Sequence, residues 1–156
     1  MSYEVIARKW RPKSFNELIG QNHVSQTLVN ALKNDRLPQA LLFNGPRGTG
    51  KTSSARIFAS TLRCPNIKDF SPCGTCAECE EISSGKSVNV IEVDGASNNG
   101  VESVRELRDS VNYLPPSGKY KIFIISMSYY LLDRNLSNNI TYRFQLDKNL
   151  TKHKKH

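Results

Sequence analysis

The sequence predicts an α/β fold built on a parallel sheet, and three observations lead there. A short continuous apolar run at 40–43 and two further apolar-rich segments at 88–93 and 121–125 have the length of strands. Stretches with helical apolar spacing lie between them, so strands and helices alternate. A glycine-rich loop at 45–52 joins the first run to the helical stretch that follows it. At 156 residues the chain is long enough for one domain with a core of its own.

Residues 3–20 read as an irregular arm rich in Arg, Lys and aromatics. A helix follows, because Val24, Leu28 and Leu32 recur every four residues with Ala31 beside them; Leu37-Pro38 is expected to close it. Ala40-Leu41-Leu42-Phe43, bounded by Pro38 and Gly45, is expected to be a buried parallel strand. From Lys51 to Leu62, Ala55, Phe58, Ala59 and Leu62 keep helical spacing. Pro65, Pro72, Gly74 and Gly85 punctuate a loop that carries all four cysteines. After the second strand, Ser97 or Asn98 can cap a helix whose stripe is Val101, Val104, Leu107, Val111 and Leu114. Pro115-Pro116-Ser117-Gly118 makes a turn into the third strand.

Apolar residues make up 38% of the chain, no run of eighteen occurs, and the first residues lack a signal-peptide layout. A cytosolic (cytoplasmic) protein with no membrane contact is expected. The net charge is +8, half of it carried by residues 126–156. A basic surface serves nucleic acid or nucleotide phosphate in some proteins and plain solubility in more.

The loop Gly45-Pro46-Arg47-Gly48-Thr49-Gly50-Lys51-Thr52 fits G-x-x-x-x-G-K-[ST]. Its glycines let successive N–H groups turn inward on phosphate oxygens, and the helix that starts at Lys51 adds the positive end of its dipole. Lys51 can reach the outer phosphates, and the Thr52 hydroxyl can ligate Mg²⁺. An apolar strand before the loop and a helical pattern after it supply the context such a motif requires.

Hydrolysis in such folds needs a carboxylate at the end of a neighbouring strand to hold the Mg²⁺ shell, often beside a Glu that activates water. Ser126 and Met127 stand where the third strand would offer that pair. Asp94 also ends an apolar strand, but Gly95 follows it, and a turn-starting role is the expected one.

Cys64, Cys73, Cys76 and Cys79 offer four thiolates within sixteen residues, a set suited to tetrahedral Zn²⁺. Gly74 is free to take positive φ in the turn between Cys73 and Cys76. Iron–sulfur ligation and free thiols are the alternatives; structural zinc is favoured, holding together a loop with no core of its own.

The sequence resembles the gamma/tau family of bacterial DNA polymerase III, the AAA+ ATPases of the sliding-clamp loader. The residues that carry the resemblance are Ala7-Arg-Lys-Trp-Arg-Pro12, Phe15, Ile19-Gly-Gln21, the loop from Gly45 to Ser53, the four cysteines, Glu92-Val-Asp-Gly-Ala-Ser97, and the stretch 101–113. It runs in order over residues 3–125 and implies an incomplete P-loop AAA+ (RecA-like) parallel sheet over 1–125, with a zinc module inserted at about 63–86. By resemblance Ala7, Arg11 and Pro12 lie near the adenine, Gly48, Thr49, Gly50, Lys51, Thr52 and Ser53 wrap the phosphates, and the cofactors are ATP, Mg²⁺ and Zn²⁺. The partners implied are other clamp-loader subunits, the sliding clamp and primed DNA.

Past Ile125 the family continues with Asp-Glu and with sensor, lid and collar regions, and this chain departs from it. Residues 126–156 contain no Ala, Gly, Val, Glu or Pro. The first four of these share G-initial codons, so the segment reads as an out-of-frame translation or as a low-complexity tail. In the AAA+ sheet a further strand separates the third strand from the loop strand, and its loss would leave a gap between 41–43 and 122–125. Ile140, Tyr142, Phe144 and Leu146 alternate with polar residues as a gap-filling strand would, although chance accounts for so short a pattern more readily. The functional expectation is an ATP-binding clamp-loader subunit with negligible turnover, so whether it is an enzyme stays open; a non-catalytic nucleotide- and zinc-binding adaptor, or a frameshift product without a role, are the alternatives.

Overall fold

The computed structural model describes residues 10–94, 101–111, 120–128 and 140–146. Ala7, the Ser97 or Asn98 cap, the turn at 115–118, the side chains of the 101–114 stripe and most of the tail lie outside the described residues.

The arm enters through a short 3-10 turn, Phe15–Glu17, that buries Phe15; Leu18 follows it into the core. Helix α1 spans Asn22–Lys33 and buries Leu28, with Val24, Leu32 and Val29 packed partly against the core, so the four-residue repeat does mark its inner face. It ends four residues earlier than Leu37. Asp35 takes a left-handed φ of 49° and the Arg36 N–H donates back to Ala31 O at 3.0 Å, which turns the chain out of the helix. Strand β1, Ala40–Phe43, leads to the glycine loop and helix α2, Lys51–Arg63. Helix α2 is the most enclosed of the described helices: Ala55, Phe58 and Ala59 are fully buried. A second short helix, α3 at Ala77–Ser84, lies inside the cysteine segment, where sequence punctuation predicts a loop. Strand β2, Val90–Asp94, helix α4, Val101–Val111, and strands β3, Ile122–Ser128, and β4, Ile140–Leu146, complete the order.

The four strands form one sheet in the order β1-β4-β3-β2. β2 and β3 run parallel, Val90 opposite Ile122 through Asp94 opposite Ser126. β4 pairs antiparallel with both neighbours, Ile122 to Ser128 facing Leu146 to Ile140 on one side and Ala40 to Phe43 facing Gln145 to Tyr142 on the other. Two expectations are corrected here. The sheet is mixed, not wholly parallel, and the alternating tail segment is a strand, not a chance pattern: it lies between β1 and β3, satisfying backbone groups that would otherwise face a gap. A third correction concerns β1. It is an edge strand with alternating exposure, Leu42 being 68% exposed, so its apolar run does not signify burial on both faces.

Strand β3 is the buried centre. Ile122, Phe123 and Ile124 are each at most 2% exposed. Ile122 and Ile124 join α2, α1 and the arm in one core with Phe15, Leu18, Leu28, Phe58 and Ile82. Lys121 donates to Ser110 O at 2.5 Å, tying the end of α4 to the start of β3.

Candidate functional site

The loop at 45–52 turns at Gly48 and Gly50, whose φ values of 87° and 82° favour residues without a Cβ. Gly50 is the N-cap of α2, and no side chain caps the helix there. The first turn of α2 therefore presents its N–H end and its dipole toward the loop rather than toward a capping oxygen. Thr49 closes the bend by donating to Pro46 O at 3.0 Å. The Lys51 ammonium folds under the loop, donating to Gly45 O at 2.6 Å, to Pro46 O, and to Thr49 Oγ1 at 3.4 Å. Burial lowers the pKa of Lys51 from its usual value. Arg47 is exposed at the tip; Thr52 and Ser53 are half-buried in the first turn of α2. The donor set suits a polyphosphate: backbone N–H groups, an uncapped helix start and one adjacent ammonium.

Arg11 and Pro12 line a cavity bounded by the middle of α2 and by the cysteine segment, and none of residues 45–53 lines that cavity. The structure thus brings the loop residues together with one another and sets Arg11 and Pro12 against a different wall.

At the strand ends the hydroxyl of Ser126 donates to Asp94 Oδ1 at 3.2 Å. Alternation along β2 puts Asp94 on the same face as Glu92. That face looks toward α2, because Arg56 grips Glu92 through two nitrogens, Nε to Oε2 at 2.9 Å and Nη2 to Oε1 at 2.9 Å. Asp94 is therefore the one carboxylate, among the described residues, that ends a strand on the α2 side.

The cysteine segment folds around its sulfurs. Lys68 and Ser71 pair across a tight turn whose central residues, Asp69 and Phe70, are both left-handed, and the Phe70 ring sits 5.7 Å from the Lys33 ammonium of α1. Gly74 takes the expected positive φ of 73°. Cys76 is the N-cap of α3, Cys79 lies in its first turn, and Gly85 ends it in the left-handed conformation. The four Sγ atoms all lie within 4.8 Å of one another, with Cys64 and Cys76 at 4.0 Å. Tetrahedral Zn–S bonds of about 2.3 Å place sulfurs roughly 3.8 Å apart, so the cluster needs only slight contraction to hold one ion. No His or carboxylate joins the set among the described residues. The Cys73 thiol is pulled down to about 6 by the backbone N–H groups of Thr75 and Cys76, which favours the thiolate a metal requires. Burial pushes Cys64 and Cys79 up.

Sequence reading missed the residues that brace this cluster. Arg63, the last residue of α2, bonds Glu78 of α3 and donates from Nη1 to Tyr120 O at 3.0 Å. A charged residue beside a cysteine carries no distinguishing pattern in one dimension. Helix α3 did have a signal, Gly85 as its stop.

The family whose model matches residues 20–140 is described as DNA polymerase III, delta subunit. The DNA polymerase III subunit tau/gamma of Haemophilus influenzae is 46% identical over 138 residues, 88% of this chain and 20% of that protein. Subunit tau of Bacillus subtilis is 46% identical over 125 residues, 80% of this chain and 22% of that protein. Subunit tau of Escherichia coli is 45% identical over 138 residues, 88% of this chain and 21% of that protein. The chain spans about a fifth of the length of these curated relatives.

Proposed function

The chain belongs to this DNA polymerase III family, and on that premise we propose that it is an ATP-binding segment of a clamp-loader subunit, acting in DNA replication. The observation that carries the reading is the loop: Gly48 and Gly50 in left-handed conformation, the uncapped start of α2, and Lys51 held beneath them. Gly45, Arg47, Gly48, Thr49, Gly50, Lys51, Thr52 and Ser53 would hold the phosphates of ATP, and the Thr52 hydroxyl would hold Mg²⁺, which supplies neutralisation of the phosphate charge when bound. In this reading Lys51 exchanges its loop carbonyls for phosphate oxygens, a stronger charge-assisted bond. Adenine contact by Ala7, Arg11 and Pro12 is the remaining part of the nucleotide site.

Turnover is proposed to be negligible. Ser126 and Met127 stand in the second half of β3, at the positions where the family carries Asp-Glu, and neither can act as a base. The Ser126 hydroxyl is instead directed at Asp94. Zinc is proposed for Cys64, Cys73, Cys76 and Cys79, because four clustered sulfurs, joined by no oxygen or nitrogen ligand among the described residues, match a closed structural site. Other clamp-loader subunits, the sliding clamp and primed DNA are the proposed partners, and the cytoplasm the proposed location; among the described residues no helix is long and apolar enough to cross a membrane.

Calorimetric titration with Mg·ATP tests the reading. Lys51→Ala removes a charged hydrogen bond worth about 1.5–3 kcal/mol, so affinity should fall roughly ten- to a hundredfold. Equal affinity in the two proteins would sink the nucleotide assignment. Phosphate release above background that disappears with Lys51→Ala would overturn the claim of negligible turnover.

A further inference from the structure

Asn44 is the first residue beyond strand β1, whose last ladder pair joins Phe43 to Tyr142. It is exposed, lies in irregular backbone, and is followed by Gly45. Among the described asparagines it alone precedes a glycine; Asn22 and Asn30 lie in helix α1, and Asn89 is buried. No hydrogen bond among the described residues engages the Asn44 side chain or the Gly45 N–H. The Gly45 carbonyl does have a partner, the Lys51 ammonium at 2.6 Å.

An exposed side-chain amide beside a residue without a Cβ is set up for an internal reaction, because nothing shields the following nitrogen from the side-chain carbon. We propose that Asn44-Gly45 is a modification site at which the chain deamidates itself. The Gly45 nitrogen loses its proton to hydroxide and attacks Asn44 Cγ. The new N–Cγ bond closes a succinimide ring, and the side-chain nitrogen leaves as ammonia. Water then opens the ring at either carbonyl, giving aspartate or isoaspartate, so amide plus water becomes acid plus ammonia. Ring closure places negative charge first on the Gly45 nitrogen and then on the oxygen at Cγ. The uncapped start of α2 and the Lys51 ammonium bring positive potential to the same loop, which lowers the cost of that charge.

The product stands at the mouth of the phosphate loop. A carboxylate at position 44 is one residue from the carbonyl that holds Lys51, and it competes with phosphate for that ammonium. Isoaspartate also adds its Cβ to the main chain between Phe43 and the loop, which displaces the left-handed turns at Gly48 and Gly50. Deamidation thus weakens the loop as an anion site. The modification does not rest on nucleotide binding at the loop, whereas its effect on affinity rests on that reading.

The test is peptide mapping by mass spectrometry of the full chain aged in warm, mildly alkaline buffer, against a fresh sample digested in parallel. Tryptic peptide 37–47 carries Asn44 together with Gln39, whose longer side chain closes a ring far more slowly and serves as the internal reference. The peptide should gain the mass of an amide become an acid at Asn44 and not at Gln39. It should divide into aspartate and isoaspartate forms, at a rate that rises with hydroxide concentration. Asn44→Gln should abolish the change. Asn99-Gly100, the other Asn-Gly pair of the chain, lies outside the described residues. It is present in both proteins, so aged wild type compared with aged Asn44→Gln isolates Asn44. In Mg·ATP titration, aged wild type should bind about fivefold or more weakly than fresh protein, and aged Asn44→Gln should match its own fresh sample. An Asn44 still intact when residues 99–100 have converted would overturn the proposal. Complete conversion with unchanged Mg·ATP affinity would overturn its effect on the loop. Fresh protein that binds no Mg·ATP would defeat the nucleotide reading while the mapped conversion stood, so the two failures are told apart.

Discussion

Arg63 and Glu78 meet at 2.6 Å, with the arginine side chain only 1% exposed and the glutamate side chain 22% exposed. The pair links the residue before Cys64 to the helix that carries Cys79, and Arg63 reaches on to Tyr120 O at the entry to β3. It is the polar strut between the cysteine cluster and the sheet.

Glu78→Gln should therefore destabilise the chain more than its half-buried position on the short helix α3 suggests. The change leaves a buried guanidinium without its counter-charge, at a cost of about 2–3 kcal/mol. Urea unfolding should show a lower midpoint with an unchanged slope, and Arg63→Met/Glu78→Leu should recover part of the loss. A midpoint equal to wild type for Glu78→Gln would show that the pair contributes nothing.

Metal removal should act on the same region. The purified chain is expected to carry one zinc by elemental analysis, and chelation should lower its unfolding temperature, because binding to a clustered site is coupled to folding. Cys79→Ser should abolish tight zinc binding. Zinc affinity should also weaken as pH falls, since each thiol must shed a proton to ligate. A chain with no zinc that unfolds identically with and without chelator would rule out a structural metal.

Strand β4 gives a third expectation. Phe144 pairs with Leu41 on one side and Ile124 on the other. Phe144→Pro puts a residue without an N–H in an interior strand, which removes a ladder hydrogen bond and leaves its acceptor unsatisfied at a cost of about 1–3 kcal/mol. Hydrogen exchange should show lost protection across both 40–43 and 122–128. Unchanged protection in those two segments would mean that β4 does not pair there.

The edge position of β1 separates two substitutions that sequence patterning would rank together. Leu42→Lys falls on a 68% exposed side chain and should change stability by less than about 0.5 kcal/mol. Phe58→Ala, at a fully buried ring in α2, should cost about 3–5 kcal/mol. Comparable losses for the two, measured by urea unfolding, would place β1 inside the sheet.

What the sequence by itself determined is local. The spacing of Gly48, Gly50 and Lys51 specifies the loop, because glycine alone takes left-handed φ without strain. The repeats in Val24, Leu28 and Leu32 and in Ala55, Phe58 and Ala59 specify which helix faces turn inward. The cysteine spacing specifies four sulfurs close enough to share an ion. Only the tertiary structure decided that β4 fills the place beside β3, that it runs antiparallel there, and that β1 is left at the edge. It also decided that Arg63 and Glu78 meet. The physical reason is the same in each case. A turn or a helix face is closed by bonds between residues a few positions apart, whereas strand partners and buried ion pairs join residues whose separation along the chain carries no pattern. Apolar content alone cannot tell a central strand from an edge one, because that difference lies in the neighbours.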